Sequence, residues 1–253
     1  MKILPPRTRP PSRKIDRVHA PVPAVGRLGY REYRACLRWE FGFTCAFCLL
    51  HESDLAEFGA EGLGLTGVEH FVPVAAQGEV NSYDNCFYAC RLCNVSRAKS
   101  PVIDRHGRRL LHPCGQVWAD HFESTPDDNL LPIEGDADAA YTHGVYDLDD
   151  PGKVEIRQAR RERLEESLQV LRDGPELLEM MMERLREGPP EKSSDLTRVA
   201  ERIRRSIEHA VRVIHRYAAI PRDADNVCRC GRTDHHRLPV GLDDQAIDMP
   251  LSV

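Results

Sequence analysis

Two Cys-x-x-C turns constrain this chain more than any other feature: Cys45-Ala-Phe-Cys48 and Cys90-Arg-Leu-Cys93, with 41 residues between them. Each turn brings two thiols to one side of a tight bend. Two such turns facing each other present four thiolates tetrahedrally, and soft donors in that number favour zinc. Four thiolates also fill the coordination sphere, so the predicted ion is structural Zn²⁺ with no open position for chemistry. The chain has nine cysteines, and the charges in its first fourteen residues precede no apolar segment. The expectation is a cytoplasmic protein whose cysteines act as ligands rather than as disulfides. A redox dithiol is the competing use of Cys-x-x-C, but neither turn lies in a βαβ pattern. No stretch approaches the roughly 20 consecutive apolar residues of a membrane helix, so no membrane role is expected.

Between the turns lies Val68-Glu69-His70-Phe71-Val72-Pro73, a short apolar strand interrupted by an acid and a histidine. Tyr83-Asp84-Asn85-Cys86-Phe87-Tyr88-Ala89 then leads into the second turn, which Asn94 follows directly. Singly, each has an ordinary reading: a solvent-facing Glu-His pair, a turn asparagine and a helix cap. Together, anchored by one zinc, they put an acid, an imidazole and an amide on one small surface. The acid and the amide oxygen are hard ligands suited to Mg²⁺, and an imidazole beside them suits a general base.

The order Cys-x-x-C, then acid-His-x-x-Pro, then Asn, then Cys-x-x-C-Asn resembles that of the HNH endonucleases. The residues that carry it are Cys45/Cys48, Glu69-His70-Phe71-Val72-Pro73, Asn85, Cys90/Cys93-Asn94 and Arg97. Tyr30 to Cys48 is similar to the lead-in helix of bacterial members, and Leu111 through Phe122 to the segment that follows their nuclease core. The resemblance covers roughly residues 30–165. It implies a ββα-metal fold and one-metal hydrolysis of a phosphodiester. His70 would be the general base, Glu69 and Asn94 would hold Mg²⁺ or Mn²⁺, and Asn85 would orient His70 through the loop. Arg97 stands where the family usually has lysine and would contact a phosphate, with Lys99 as a second candidate. Two positions depart from the commoner pattern: Glu69 replaces an aspartate, and Asn94 replaces a histidine.

The expected fold class is α+β: a small ββα-metal module stapled by the four-cysteine zinc, followed by an α-helical C-terminal domain. Residues 1–27 hold six prolines and seven Lys/Arg against one acid, and read as a flexible or extended arm. The module spans 28–125, an acidic linker 126–152, a helical domain 153–220 and a polar tail 221–253. From 111 to 150 there are ten acids and no Lys or Arg. In the helical domain, apolar spacing and the break signals Asp173-Gly174-Pro175 and Gly188-Pro189-Pro190 predict three helices. In the tail, Cys228, Cys230, His235 and His236 are candidate ligands for a second metal; an exposed polar tail is the default reading.

The net charge of −5 argues against a generic nucleic-acid binder. Residues 1–110, however, carry 16 Lys/Arg against 11 acids, and 111–253 carry 19 against 29. The functional expectation is a metal-dependent endonuclease acting on DNA, with RNA also open. It would work alone or as the effector of an anti-phage system, its C-terminal helices docking a regulatory ATPase. The alternative is a non-catalytic zinc module that binds nucleic acid or protein, which needs the four cysteines but neither Glu69 nor His70.

Overall fold

The computed structural model describes residues 2–3, 10–19, 21–23, 25–26, 28–57, 65–73, 79–97, 100–189, 193–217, 230 and 247–248. The chain divides into two compact units, residues 1–158 with 219–253, and residues 159–218. The larger unit mixes helices with small antiparallel sheets; the smaller is helical. An α+β class describes this arrangement.

In the larger unit, β1 (Lys2–Ile3) pairs antiparallel with β6 (Ile247–Asp248). A 3₁₀ turn at Gly29–Tyr33 runs into α1 (Arg34–Glu40). The helix ends just before Gly42. Gly42, at φ 56°, donates its N–H to the Trp39 carbonyl, and Phe43 donates to that of Arg38, which closes the last turn. The first Cys-x-x-C follows, flanked by a bridge between Thr44 and His51, and α2 (Glu52–Glu57) begins beyond it. The Glu52 carboxylate accepts hydrogen bonds from Arg38 at 3.0 Å and from the Tyr88 hydroxyl at 2.6 Å.

Strands β2 (Leu65–His70) and β3 (Cys86–Cys90) pair antiparallel, with Glu69 opposite Phe87 and His70 opposite Cys86. All five residues of β3 are buried. The strand runs without a break into α3 (Arg91–Arg97), so the second Cys-x-x-C is a strand–helix junction. The order β2, β3, α3 matches the expected ββα order.

The region expected to be an acidic linker is instead part of the core. It contains β5 (Leu130–Pro132), which pairs with β4 (Phe122–Ser124) just upstream, and α4 (Ala137–Tyr146). Leu130, Ala139, Tyr146 and Leu148 are buried in the same cluster as Trp118 and Phe122, and Tyr146 stacks on Phe47 with centroids 4.2 Å apart. Its acids have local tasks. Asp136 caps α4 by accepting from the Ala139 N–H at 2.8 Å, and Asp150 accepts from the Lys153 N–H at 3.0 Å. Acids concentrate at helix starts because they satisfy otherwise unpaired N–H groups.

The arm also departs from expectation. Pro10, Pro11, Ile15 and His19 are buried. The Arg17 guanidinium donates to the carbonyls of Tyr83 at 2.5 Å and Cys86 at 2.7 Å, and sits 4.5 Å from the Phe87 ring centroid. The backbone N–H groups of Val18 and His19 donate to the buried carboxylate of Glu40. Residues 10–19 are therefore docked, because partners far away in sequence satisfy their polar groups.

Two helices carry the smaller unit, where three were expected. Helix α5 (Pro151–Glu187) starts in the larger unit and runs through Pro175; α6 (Ser193–Tyr217) follows. A Cβ at Gly174 would lie 2.7 Å from Ile207 Cγ1. The apparent break signal is thus a notch in α5 that lets α6 approach. Gly174→Val fills that notch and should lower the stability of the helical unit by about 1–3 kcal/mol, measured by denaturant unfolding.

Candidate metal centre and neighbouring groups

Cys45, Cys48, Cys90 and Cys93 are fully buried and converge, their Sγ atoms all within 4.8 Å of one another. Cys48 Sγ lies 3.6 Å from Cys90 Sγ. A tetrahedral ion with Zn–S bonds of about 2.3 Å needs edges of about 3.8 Å, so the donor set fits zinc. Local backbone explains the convergence. The Cys45 N–H donates to the Leu50 carbonyl at 2.9 Å, which folds the first turn back, and the Ala46 N–H donates to Tyr88 of β3 at 2.8 Å. The Cys90 N–H faces Cys45 Sγ at 3.4 Å, and the Cys93 N–H faces Cys90 Sγ at 3.5 Å.

The electrostatics favour a cation here. Burial opposes ionisation of Cys48, yet hydrogen bonding with Cys45, Cys90 and Cys93 and the field of Lys153 hold its thiol below the ordinary range. Cys90 and Cys93 are pushed well above theirs, first by hydrogen bonding with Cys45 and Cys48. Four thiolates without a positive ion cannot coexist at this spacing. Lys153, 3% exposed, supplies part of the balance. Burial pulls its ammonium down, but Cys93, Cys48, Cys90 and Asp147 hold it above the ordinary value. Its Nζ donates to the carbonyls of Tyr146 at 2.6 Å and Asp147 at 2.9 Å. Arg157, one turn further along α5, donates to the carbonyls of Cys48, Asp128 and Leu148. Sequence spacing gave no sign of either residue's task, since the partners lie outside their own helix.

The β2 end carries the other candidates. His70 Nε2 is 2.8 Å from the Val80 carbonyl, and Tyr30 packs edge-on with ring centroids 4.6 Å apart. A carbonyl only accepts, so Nε2 carries the proton in the neutral ring and Nδ1 is the basic nitrogen. Asn85 clamps the intervening loop. Its Oδ1 accepts from the Val72 N–H at 2.7 Å, and its Nδ2 donates to the carbonyls of Val72 at 3.0 Å and Glu79 at 3.3 Å. Glu69, 6% exposed, is pushed up to about 8 by burial, with Arg97 pulling the opposite way. Consecutive strand residues face opposite sides. Glu69 accordingly interacts with Arg97 of α3, while His70 meets Tyr30 and Val80. Asn94, half-buried, is the fourth residue of α3 rather than its cap, one turn before Arg97.

Arg97 does not stand where a phosphate contact needs it. The side chain is fully buried, and its guanidinium donates to the carbonyls of Phe71 and Ser100. The position follows from packing of α3 on β2, which turns the residue inward. Lys99, Cys228, His235 and His236 lie outside the described residues. The sequence reading missed a predominantly basic cleft within the helical unit, lined among others by Arg163, Arg198, Arg202, Arg205 and His209, with Glu166 as its acid. The 4-3-4 spacing of residues 198, 202, 205 and 209 on α6 was the available signal.

No family model matches the chain, and no curated protein or solved structure matches it. Among the described residues, no helix is long and apolar enough to cross a membrane.

Two measurements check these assignments. Arg97→Met should lower folding stability by about 2–4 kcal/mol in denaturant unfolding, because two carbonyls lose their donor and Glu69 its counter-charge. Unchanged stability with weakened DNA binding would restore the phosphate-contact reading. The second concerns His112, whose ring meets Phe71 at 4.7 Å and Phe87 at 4.9 Å. Burial and then Arg17 push its imidazole down to about 4 from 6.5, against the pull of Asp84. The unfolded chain binds the extra proton inside that window, so stability rises with pH across it and levels off above. Thermal unfolding of His112→Asn should show a flatter profile there.

Proposed function

We propose that this protein is a metal-dependent HNH-type endonuclease hydrolysing DNA phosphodiesters. The observation that carries the reading is the restrained, half-buried His70 at the end of β2. The Val80 carbonyl holds its tautomer and the Asn85-clamped loop holds its position. In this reading Nδ1 of His70 takes the proton of the attacking water. Glu69 and Asn94, on the α3 side of β2, would hold the divalent cation, with His70 at the very end of the strand. Mg²⁺ or Mn²⁺, when bound, would stabilise the charge developing on the phosphate and leaving oxygen. Glu69 sits in a desolvated setting beside the Arg97 guanidinium, a setting in which added positive charge favours the carboxylate. Asn85 acts through the loop and does not touch substrate.

The zinc held by the four cysteines is structural in this scheme: it fixes β3 against the first turn and thereby the strand on which His70 is paired. The basic cleft of the helical unit and its exposed Leu177, Met180 and Met182 fit a role in docking nucleic acid or a regulatory ATPase of an anti-phage system. The alternative, a non-catalytic zinc module, draws on the burial of Glu69 and Arg97, which keeps both of these charged groups from solvent.

The test is a cleavage panel of supercoiled, linear and single-stranded DNA and of RNA, with and without Mg²⁺ or Mn²⁺ and with a candidate ATPase. His70→Ala should lower the metal-dependent cleavage rate by about 10²–10⁴-fold. Equal residual cleavage by wild type and His70→Ala, with DNA affinity indifferent to divalent ions, would favour the non-catalytic module.

A further inference from the structure

A second group of ligand-type side chains meets away from the four-cysteine cluster and has no part in the proposed reaction. His19, Cys36 and Cys230 each bring one ligand atom within 4.8 Å of the other two, and all three are buried. Their exposures are 7%, 2% and 2%. They come from three separate segments: the docked arm, helix α1 and the C-terminal region. The sequence reading placed Cys230 in an exposed polar tail, and its burial overturns that expectation at this residue.

We propose that His19, Cys36 and Cys230 form a second zinc-binding site. Two thiols and an imidazole are a donor set that zinc takes readily. Cys230 Sγ lies 3.4 Å from His19 Nδ1. Zn–S and Zn–N bonds of about 2.3 and 2.0 Å at a tetrahedral angle put these atoms about 3.5 Å apart. Cys36 Sγ lies within 4.8 Å of both of these atoms.

The surroundings support the assignment. The Glu40 carboxylate accepts from the backbone N–H groups of His19 at 2.6 Å and Val18 at 3.1 Å. Glu40 lies one helical turn after Cys36 on α1, so a single turn of helix presents one ligand and anchors the peptide carrying another. Outer contacts of this kind fix a ligand's direction. Trp39 and Phe43 pack with Cys36 and Cys230 in one small apolar cluster, which limits water at the site. Cys228, two residues upstream of Cys230, lies outside the described residues. The site ties together segments separated by as many as 211 residues, between His19 and Cys230. It is independent of the endonuclease reading and of the four-cysteine cluster.

The experiment measures zinc per chain by elemental analysis of the purified full-length protein, with zinc K-edge absorption on the same sample. Two zinc ions per chain are expected, with an imidazole contribution in the averaged ligand shell. Cys36→Ser and Cys230→Ser should each lower the content to one, while Cys114→Ser, outside both clusters, should retain two. One zinc in the wild type, a shell of sulfur alone, or two zinc ions retained in both Cys36→Ser and Cys230→Ser would overturn the proposal. The wild-type stoichiometry and ligand shell decide the matter even if a variant fails to fold.

Discussion

The larger unit depends on bringing four thiols to one point. Cys45 and Cys48 sit on a loop that folds back through the Cys45–Leu50 backbone bond, and Cys90 and Cys93 bracket a strand–helix junction. Closing this cluster fixes the loop against β3 and starts α3 at a set place. The β2–β3 pairing and the position of His70 follow from it. Lys153 and Arg157 complete the arrangement from the first turns of α5. One sets its ammonium among the thiols' field, and the other donates to the Cys48 carbonyl at 3.2 Å. A zinc ion with four thiolates carries net negative charge, and a buried ammonium beside it lowers the cost of that charge.

Buried cations recur as internal struts. Arg97 and Arg157 are buried and Arg17 is half-buried, and all three direct guanidinium groups at backbone carbonyls of loops and element ends. Such charge-assisted bonds contribute about 1.5–3 kcal/mol each, and removing one partner leaves several buried acceptors unpaired. This makes irregular loops rigid without regular secondary structure. It also changes what the basic balance of residues 1–110 means. Arg97 is consumed inside the fold, and half-buried Arg17 is engaged by two backbone carbonyls, so they add little to any attraction for phosphate. A basic surface appears instead in the cleft of the helical unit.

Docking of the arm links the two ligand clusters. Arg17 holds residues 10–19 against Tyr83, Cys86 and Phe87, the same stretch that leads into the second Cys-x-x-C. Two residues later, His19 reaches Cys230. One short segment therefore touches both the strand carrying the first cluster and the ligands of the second.

The sequence by itself determined the four-cysteine cluster and the amphipathic α6, because each rests on spacing within a few residues or on donor chemistry, while the ββα order was only what the resemblance implied. It located Glu69, His70, Asn85 and Asn94 as neighbours along the chain, but strand alternation places Glu69 and His70 on opposite faces. Only the tertiary structure decided that the arm is docked, that residues 126–152 belong to the core, and that Gly174-Pro175 lies inside a continuous helix. It alone turned Arg97 inward and gathered His19, Cys36 and Cys230. The physical reason is common to all of these. Local patterns report backbone preference and the periodicity of burial, whereas a buried polar group is defined by the partner that satisfies it, which here lies up to 211 residues away.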